Sequence, residues 1–185
     1  MIYNEKTKKY VLWINHLAPA LTPLMSYPDA RLMVATSNTP DGIFELVNEK
    51  AHIEISGGGD FNLMIDPNDS ELTAYLAYDA WGNNHAIVIE QLTADYLDSL
   101  GAAASSGQIT PSGNEAPILF ERKGIYYLMY GPLCCFCHQG TYIRYLKYFF
   151  LLTSIFYHAP LLVHTPIRNT QNNLKIIFVV YLFCT

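Results

Sequence analysis

Two carboxylates hold matching places in the sequence, each a few residues ahead of a strand–turn–strand segment. Asp60 follows three glycines, residues 57–59, and Glu115 precedes Ala116 and Pro117. Two carboxylates that face one bond can perform acid–base chemistry. Hydrolysis of a glycosidic bond uses such a pair, with one member kept protonated so that it can donate to the leaving oxygen. The alternative stays open that both are ordinary turn and loop residues.

The segments behind these carboxylates belong to an internal repeat of apolar strand, charged turn and tyrosine-rich strand. Its copies span residues 2–13, 64–78 and 119–130. Further short strands lie between the copies, so that two hairpins recur about every 50–65 residues, the period of a four-stranded propeller blade. The sequence therefore predicts an all-β fold, a partial β-propeller of about two and a half blades, with residues 92–100 as the best candidate for a helix.

The chain is apolar and acidic, and its charge is unevenly distributed. It has 185 residues, of which 51% are hydrophobic and only 15% charged, a composition that predicts a folded core. The net charge of −5, without a Lys/Arg cluster, disfavours nucleic acid as a partner. Residues 1–140 hold all 16 acidic residues, whereas residues 141–185 hold four basic residues and no acidic one. We therefore interpret 1–140 as the propeller domain and 141–185 as a separate apolar tail.

The tail contains two apolar runs, residues 148–157 and 176–183. Each is shorter than the roughly 20 residues that a membrane-spanning helix needs, which disfavours a membrane anchor. The N-terminus shows no signal-peptide pattern, and the location of the protein in the cell stays open. We hypothesise that the tail is unrelated to the propeller and is an artefact of the gene model, read past the end of an exon.

Three cysteines, Cys134, Cys135 and Cys137, lie within four residues and precede His138. A structural zinc site needs two separated pairs of ligands, and no second pair follows, so we expect no metal here. Buried thiols or a local disulfide are the remaining interpretations. The glycines at 57–59 lack the GxxxxGK[ST] pattern of a phosphate-binding loop, and no cofactor is expected.

Three further side chains are candidates for contact with a substrate. Trp81 lies in the polar segment WGNNH and has a face that suits a sugar ring, as does Tyr127 in the third hairpin. His85, at the start of a strand, is a candidate for orienting a substrate. The alternatives are that the aromatic rings pack between blades and that His85 is structural.

The ordered series of motifs resembles glycoside hydrolase family 43, and within it the galactan exo-β-1,3-galactosidase-like branch. The motifs cover about residues 2–140 and read IYNEKTKKYVLW with MVATSNTPDGIFEL, GGDFNLMID with TAYLAYDA, HAIVIEQLTADYLDSLG, and EAPILFERKGIYYLMYGPLCCFCHQG. The resemblance implies a five-bladed β-propeller, a mostly secreted family, and hydrolysis with inversion at the anomeric carbon.

The resemblance also implies roles for the two carboxylates. Glu115, in the E-A-P motif, corresponds to the general acid, and Asp60 corresponds to the carboxylate that tunes the pKa of that acid and orients the substrate. The catalytic base of the family comes from blades that this chain lacks, and the turn at residues 66–71 departs from the family pattern. In comparison with the family pattern, the sequence looks truncated at both ends.

The function that we expect is therefore that of an inverting glycoside hydrolase in carbohydrate metabolism, present as a fragment. Its partner would be a polysaccharide or oligosaccharide of the β-galactan or arabinan type. Because no base is evident, we expect weak or no activity, and whether the chain is an enzyme stays open. A carbohydrate-binding pseudoenzyme fragment is the alternative, and a membrane-tethered fragment is less favoured.

Overall fold

The computed structural model describes residues 1–17, 30–134 and 140–146. Within these residues the regular structure consists of eleven β-strands and two short 3-10 turns, at Trp81–Asn83 and Gly101–Ala104. The strands are β1 (Ile2–Asn4), β2 (Lys9–His16), β3 (Arg31–Ser37), β4 (Glu45–Asn48), β5 (Gly58–Ile65), β6 (Ala74–Ala80), β7 (Ala86–Gln91), β8 (Ser105–Gln108), β9 (Asn114–Arg122), β10 (Ile125–Pro132) and β11 (Tyr142–Leu146). The predicted all-β class is thus confirmed.

The strands form three antiparallel sheets in which each strand pairs with its neighbour in sequence. Sheet 1 contains β1 to β4, sheet 2 contains β5 to β8, and sheet 3 contains β9 to β11. The three copies of the sequence repeat are the opening hairpins of these sheets, β1–β2, β5–β6 and β9–β10. Each sheet therefore corresponds to one blade, and the prediction of a partial propeller is confirmed.

Local turn chemistry explains why the hairpins form where they do. Asn4 ends β1, and its Oδ1 accepts the backbone N–H groups of Lys6 and Thr7, at 3.0 and 2.9 Å. The third hairpin turns through Lys123 and Gly124, which both have a left-handed backbone, with φ of 56° and 74°. Two such residues make the tight turn whose twist matches that of the flanking strands.

Sheet 2 lies between the other two sheets. The side chains of β6 alternate in direction and pack into both of the interfaces that sheet 2 makes with its neighbours. Ala74, Leu76 and Tyr78 pack toward sheet 1. Tyr75 and Ala77 point the opposite way and pack toward sheet 3. Successive side chains of a strand point to opposite faces, so a strand that is apolar at every position is buried on both faces. Every residue of β6 is indeed buried, which includes one carboxylate described below.

Two features of the fold differ from the sequence-based expectations. Residues 92–100 are not helical, because Leu92 instead bridges to Ser99 and the Thr93 hydroxyl bonds the Asp95 carboxylate at 2.6 Å, a local bond that competes with helix formation. Residues 142–146, beyond the expected boundary at 140, form β11 and pair with β10.

The rest of the apolar tail lies outside the described residues, as do Cys135, Cys137 and His138. Its interpretation as a separate segment and as a gene-model artefact therefore stays a hypothesis. Cys134 is described and is disulfide-bonded. Among the described residues, no helix has the length and apolar character to cross a membrane.

Candidate active site

A β-bulge places Asp60 near the start of β5. The register of β5 against β6 shifts between Gly58 and Phe61, so Gly59 and Asp60 together lie opposite the single residue Asp79. Bulges bend a strand and redirect its side chains, and they are frequent beside active sites. Asp60 is exposed, as a group that acts on a bound ligand must be.

A second bulge lies directly behind Glu115 on β9. The register of β9 against β10 shifts between Met129 and Gly131, and Ala116 has a left-handed backbone with φ of 53°. Glu115 itself is half-buried, and its Oε1 accepts the backbone N–H of Cys134 at 3.2 Å. The two predicted carboxylates therefore occupy similar places near the start of the first strand of each blade, Asp60 within a bulge and Glu115 directly before one.

The strands that carry these carboxylates are neighbours. The backbone N–H of Leu119 on β9 donates to Oδ1 of Asn62 on β5, at 2.9 Å. Asn62 is two residues beyond Asp60, and Leu119 is four residues beyond Glu115. This bond ties the first strands of two adjacent blades together.

A third carboxylate, Asp79, is buried beneath Asp60 and was not singled out from the sequence. Only 2% of its surface is exposed, and its Oδ2 accepts a hydrogen bond from Nε1 of Trp81 at 3.0 Å and lies 2.9 Å from Nδ1 of His85. Its Oδ1 has no hydrogen-bond partner among the described residues. The one sequence signal is a single charge in the otherwise apolar strand AYLAYDA.

The surroundings of Asp79 shift the pKa of its carboxyl group. Burial raises the pKa of Asp79, the contacts with His85 and Trp81 oppose that rise, and the nearby charge of Asp60 adds to it, with a net upward shift. Buried carboxylates with raised pKa values and specific polar partners are enriched at functional sites. Asp79, Trp81 and His85 form one cluster, which we call the Asp79 cluster.

His85 connects this cluster to the segment that carries Glu115. Asn84 and His85 have left-handed backbones, with φ of 52° and 62°. Their carbonyl oxygens accept the N–H groups of Gly113 and Asn114, at 2.9 and 2.7 Å. Asn114 directly precedes Glu115, so a short path of hydrogen bonds runs from Asp79 over His85 to the segment that carries Glu115. Strained backbone of this kind persists where the surrounding structure holds it, often at functional sites.

The run of three glycines allows Trp81 to lie against β5. A Cβ atom on Gly59 would lie 2.1 Å from Nε1 of Trp81 and 2.7 Å from Oδ2 of Asp79, which is too close for any side chain. Gly57 has a φ of +76°, and its carbonyl accepts the N–H of Trp81 at 2.9 Å. The glycines thus serve close packing of the indole.

Tyr127 lies apart from the other predicted site residues. Its ring packs between Phe120 and Tyr145, with centroid distances of 5.1 and 6.4 Å. It is four residues from Gly131, the partner of Glu115, which is about 13 Å along the strand. The structure therefore brings Trp81 and His85 together on Asp79, which lies opposite the bulge that carries Asp60, and places Tyr127 elsewhere. Its role in substrate binding stays a prediction.

The described residues contain no group of three or more His, Cys, Asp or Glu side chains arranged to hold a metal ion.

Solved structures provide the comparison with known proteins, since the sequence matches no family model and no curated protein. The exo-β-1,3-galactanase of Phanerochaete chrysosporium, solved with galactose, superposes with a TM-score of 0.61 and 24% identity, over 80% of this chain and 32% of the enzyme. The exo-β-1,3-galactanase of Clostridium thermocellum has a TM-score of 0.62 and 25% identity, over 79% of this chain and 32% of the enzyme. A family 43 β-1,3-galactosidase has a TM-score of 0.60 and 22% identity, over 79% of this chain and 28% of that protein.

These likenesses show that the fold is part of a β-propeller like that of family 43 glycoside hydrolases. The predicted resemblance to enzymes of this family is confirmed, and the matching structures include exo-β-1,3-galactanases. The chain spans about a third of the length of the galactanases that it matches, with 32% of each covered.

Proposed function

We propose that Asp60 and Glu115 form the proton-donating side of an inverting glycoside hydrolase site. The observation that supports this most strongly is their similar placement beside bulges at the starts of two first strands that are bonded to each other. Two carboxylates on neighbouring blades provide the acid and the tuning group that cleavage of a glycosidic bond requires.

In this proposal Glu115 donates its proton to the glycosidic oxygen as the bond to the anomeric carbon breaks. Asp60 orients the sugar. Trp81 provides an apolar face for the ring, and His85 holds Asp79 and the segment before Glu115 in place. Water then attacks from the opposite face of the sugar, with its proton taken by a base. We assign no base among the described residues, so we expect slow hydrolysis or none.

The proposed substrate class is a β-linked galactan, with arabinan-type side chains as the related class. Its support is that the matching galactanase of P. chrysosporium has been solved both with galactose and with β-1,3-galactotriose. The alternative function is carbohydrate binding without turnover, which needs the same surface but no base.

Binding and turnover of β-1,3-galactotriose by the purified chain distinguish these possibilities. We expect the trisaccharide to bind and galactose to be released slowly. Glu115→Gln should keep the binding and lower the release by roughly 100-fold or more, the usual contribution of a general acid. Glu49→Gln, at an exposed glutamate of sheet 1, is the matched control and should change neither.

An activated substrate tests the acid role directly. The nitrophenolate of 4-nitrophenyl β-galactoside leaves without protonation, so Glu115→Gln should affect its cleavage far less than that of galactotriose. Binding that survives Glu115→Gln, with no product from either protein, would support the binding-only alternative. Equal losses on both substrates would contradict the acid role, and absence of trisaccharide binding would contradict both functions.

A further inference from the structure

Three asparagines of sheet 1 donate hydrogen bonds to the backbone of the neighbouring blade. Nδ2 of Asn4 and Nδ2 of Asn48 donate to carbonyls in the loop after β7, at 2.9 and 3.0 Å. Nδ2 of Asn15, near the end of β2, donates to the carbonyl of Gly59 on β5 at 2.8 Å. The same kind of bond thus joins the two blades at three places, and the third place is directly beside Asp60.

The side-chain oxygens of these asparagines have different surroundings. Oδ1 of Asn4 accepts two N–H groups of the turn after β1, and Oδ1 of Asn48 accepts the N–H of Lys50 at 3.1 Å. These two side chains therefore also order their own sheet. Oδ1 of Asn15 is buried and has no hydrogen-bond partner among the described residues. Within that part of the chain, the Asn15 side chain hydrogen-bonds only to Gly59.

Gly59 is a position where the backbone benefits from such support. It lies in the bulge of β5, between Gly58 and Phe61, which have regular partners on β6. A Cβ atom at Gly59 would overlap the indole of Trp81, so packing requires a glycine. Because glycine has the widest range of backbone conformations, the chain just ahead of Asp60 has little stiffness of its own.

The bond from Asn15 acts on the peptide group that leads into Asp60. The carbonyl of Gly59 and the N–H of Asp60 belong to one planar unit, so a bond that holds the oxygen also holds the plane. The orientation of that plane limits where the exposed Asp60 side chain can point. A binding group that is held in its working direction before the ligand arrives loses less entropy on binding.

We propose that Asn15 is a positioning residue of the candidate active site, which holds the Gly59–Asp60 peptide group so that the Asp60 carboxylate faces the bound sugar. The inference deepens the proposed function and rests on it in one respect, namely that Asp60 binds the sugar. Asn15 acts through Asp60, whereas Asn4 and Asn48 support the fold.

A double-mutant cycle on the binding of β-1,3-galactotriose tests this role. Asn15→Leu keeps the branching and approximate size of the side chain and removes its amide. We expect it to weaken binding by about threefold to tenfold, the usual net contribution of one hydrogen bond. In an Asp60→Ala background there is no carboxylate to position, so the same substitution should change the affinity by less than about 1.5-fold.

Asn48→Leu is the matched control, because it removes the same kind of bond between the same two blades at a distance from Asp60. It should leave the affinity for galactotriose unchanged. Asn15→Gln keeps an amide donor and should restore part of the affinity that Asn15→Leu loses. Thermal unfolding reports whether each variant has folded, and Asn15→Ala takes the place of Asn15→Leu if that variant does not fold.

Hydrogen exchange of the ligand-free chain tests the same role without a sugar. Without the bond from Asn15 the bulge should open more often, so the amides of residues 58–61 should exchange about fivefold to tenfold faster in Asn15→Leu. Asn48→Leu should leave those amides unchanged and instead accelerate exchange in residues 92–100, where its acceptor lies.

An equal loss of affinity from Asn15→Leu in the wild-type chain and in the Asp60→Ala background would overturn the proposal, because Asn15 would then not act through Asp60. Unchanged exchange at residues 58–61 would also overturn it, and it decides the matter where the Asp60→Ala chain binds too weakly to measure. Absence of galactotriose binding by the wild-type chain would contradict the proposed hydrolase site. Faster exchange confined to residues 58–61 would then still sustain the hold of Asn15 on the bulge.

Discussion

Sheet 2 buries two carboxylates, and their surroundings differ. Glu90 on β7 is 0% exposed, and its Oε1 accepts the hydroxyl of Tyr78 at 2.6 Å and the N–H of Glu54 at 2.9 Å. Its Oε2 accepts the hydroxyl of Ser99. Asp79 on β6 has its two contacts on one oxygen, whereas the other oxygen has no hydrogen-bond partner among the described residues.

This difference distinguishes a structural carboxylate from one that we propose to be part of a functional site. Glu90 joins β6, the segment before β5 and the loop after β7, so both of its oxygens are satisfied and its burial is compensated. Asp79 lies beside the strained His85 and below the exposed Asp60. An incompletely satisfied buried carboxylate next to strained backbone is typical of a site that binds or transforms a ligand.

The largest effect is expected from Glu90→Ala. The substitution leaves the Tyr78 hydroxyl, the Glu54 N–H and the Ser99 hydroxyl buried without their acceptor, so the free energy of unfolding should fall by about 3–4 kcal/mol. Urea denaturation measures it. Glu54→Ala, which removes an exposed side chain and keeps the N–H, should cost under about 0.5 kcal/mol. Equal losses from the two variants would contradict the structural role of Glu90.

Gly59→Ala should have the second largest effect on stability. The free energy of unfolding should fall by about 2 kcal/mol, because the new methyl group overlaps the indole of Trp81. Displacement of the ring should also shift the tryptophan fluorescence and weaken the binding of galactotriose at the proposed site. Gly107→Ala is the control, since nothing lies within 4 Å of its Cβ position and only its φ of +59° opposes the change. That control should cost about 1 kcal/mol and leave the fluorescence unchanged.

Tyr78→Phe removes one of the three donors to Glu90 and should lower stability by about 1–1.5 kcal/mol. Burial raises the pKa of Tyr78 well above its usual range, and the Glu90 carboxylate raises it further. A raised pKa in the folded state gives stability that is present below about pH 10 and lost as the pH rises further. The wild-type chain should therefore lose more stability than Tyr78→Phe above pH 10. Parallel alkaline curves would contradict this.

Asp79→Asn should have the smallest effect and change the free energy of unfolding by no more than about 0.5–1 kcal/mol at pH 7. Burial already disfavours the negative charge that this substitution removes. The pKa of Asp79 is raised, so its contribution to stability is present below its ordinary value of about 4 and is lost as the pH rises through the raised value. Asp79→Asn should lack that part of the pH dependence. A loss as large as that of Glu90→Ala would remove the distinction between the two carboxylates.

Much of the fold follows from local sequence patterns. The tyrosine-rich repeat predicts the three opening hairpins, and Lys123 with Gly124 forms a turn whose chemistry can be recognised directly. The prediction of a helix at residues 92–100 is wrong. The Asp95 carboxylate accepts hydrogen bonds from the Thr93 hydroxyl and the Leu97 N–H, and these local bonds compete with helix formation. The apolar composition of the tail did not reveal β11, since its pairing with β10 is a contact between segments.

Local sequence patterns are sufficient to predict the three opening hairpins and the two carboxylates that precede the second and third of them, because turn residues and alternating side chains act over a few positions. The bulge that places Gly59 and Asp60 opposite Asp79, and the contacts of Trp81 and His85 with that buried carboxylate, arise only from the packing of the strands. Bulges, burial and the approach of separate strands depend on the packing of whole sheets, which no local pattern of residues specifies.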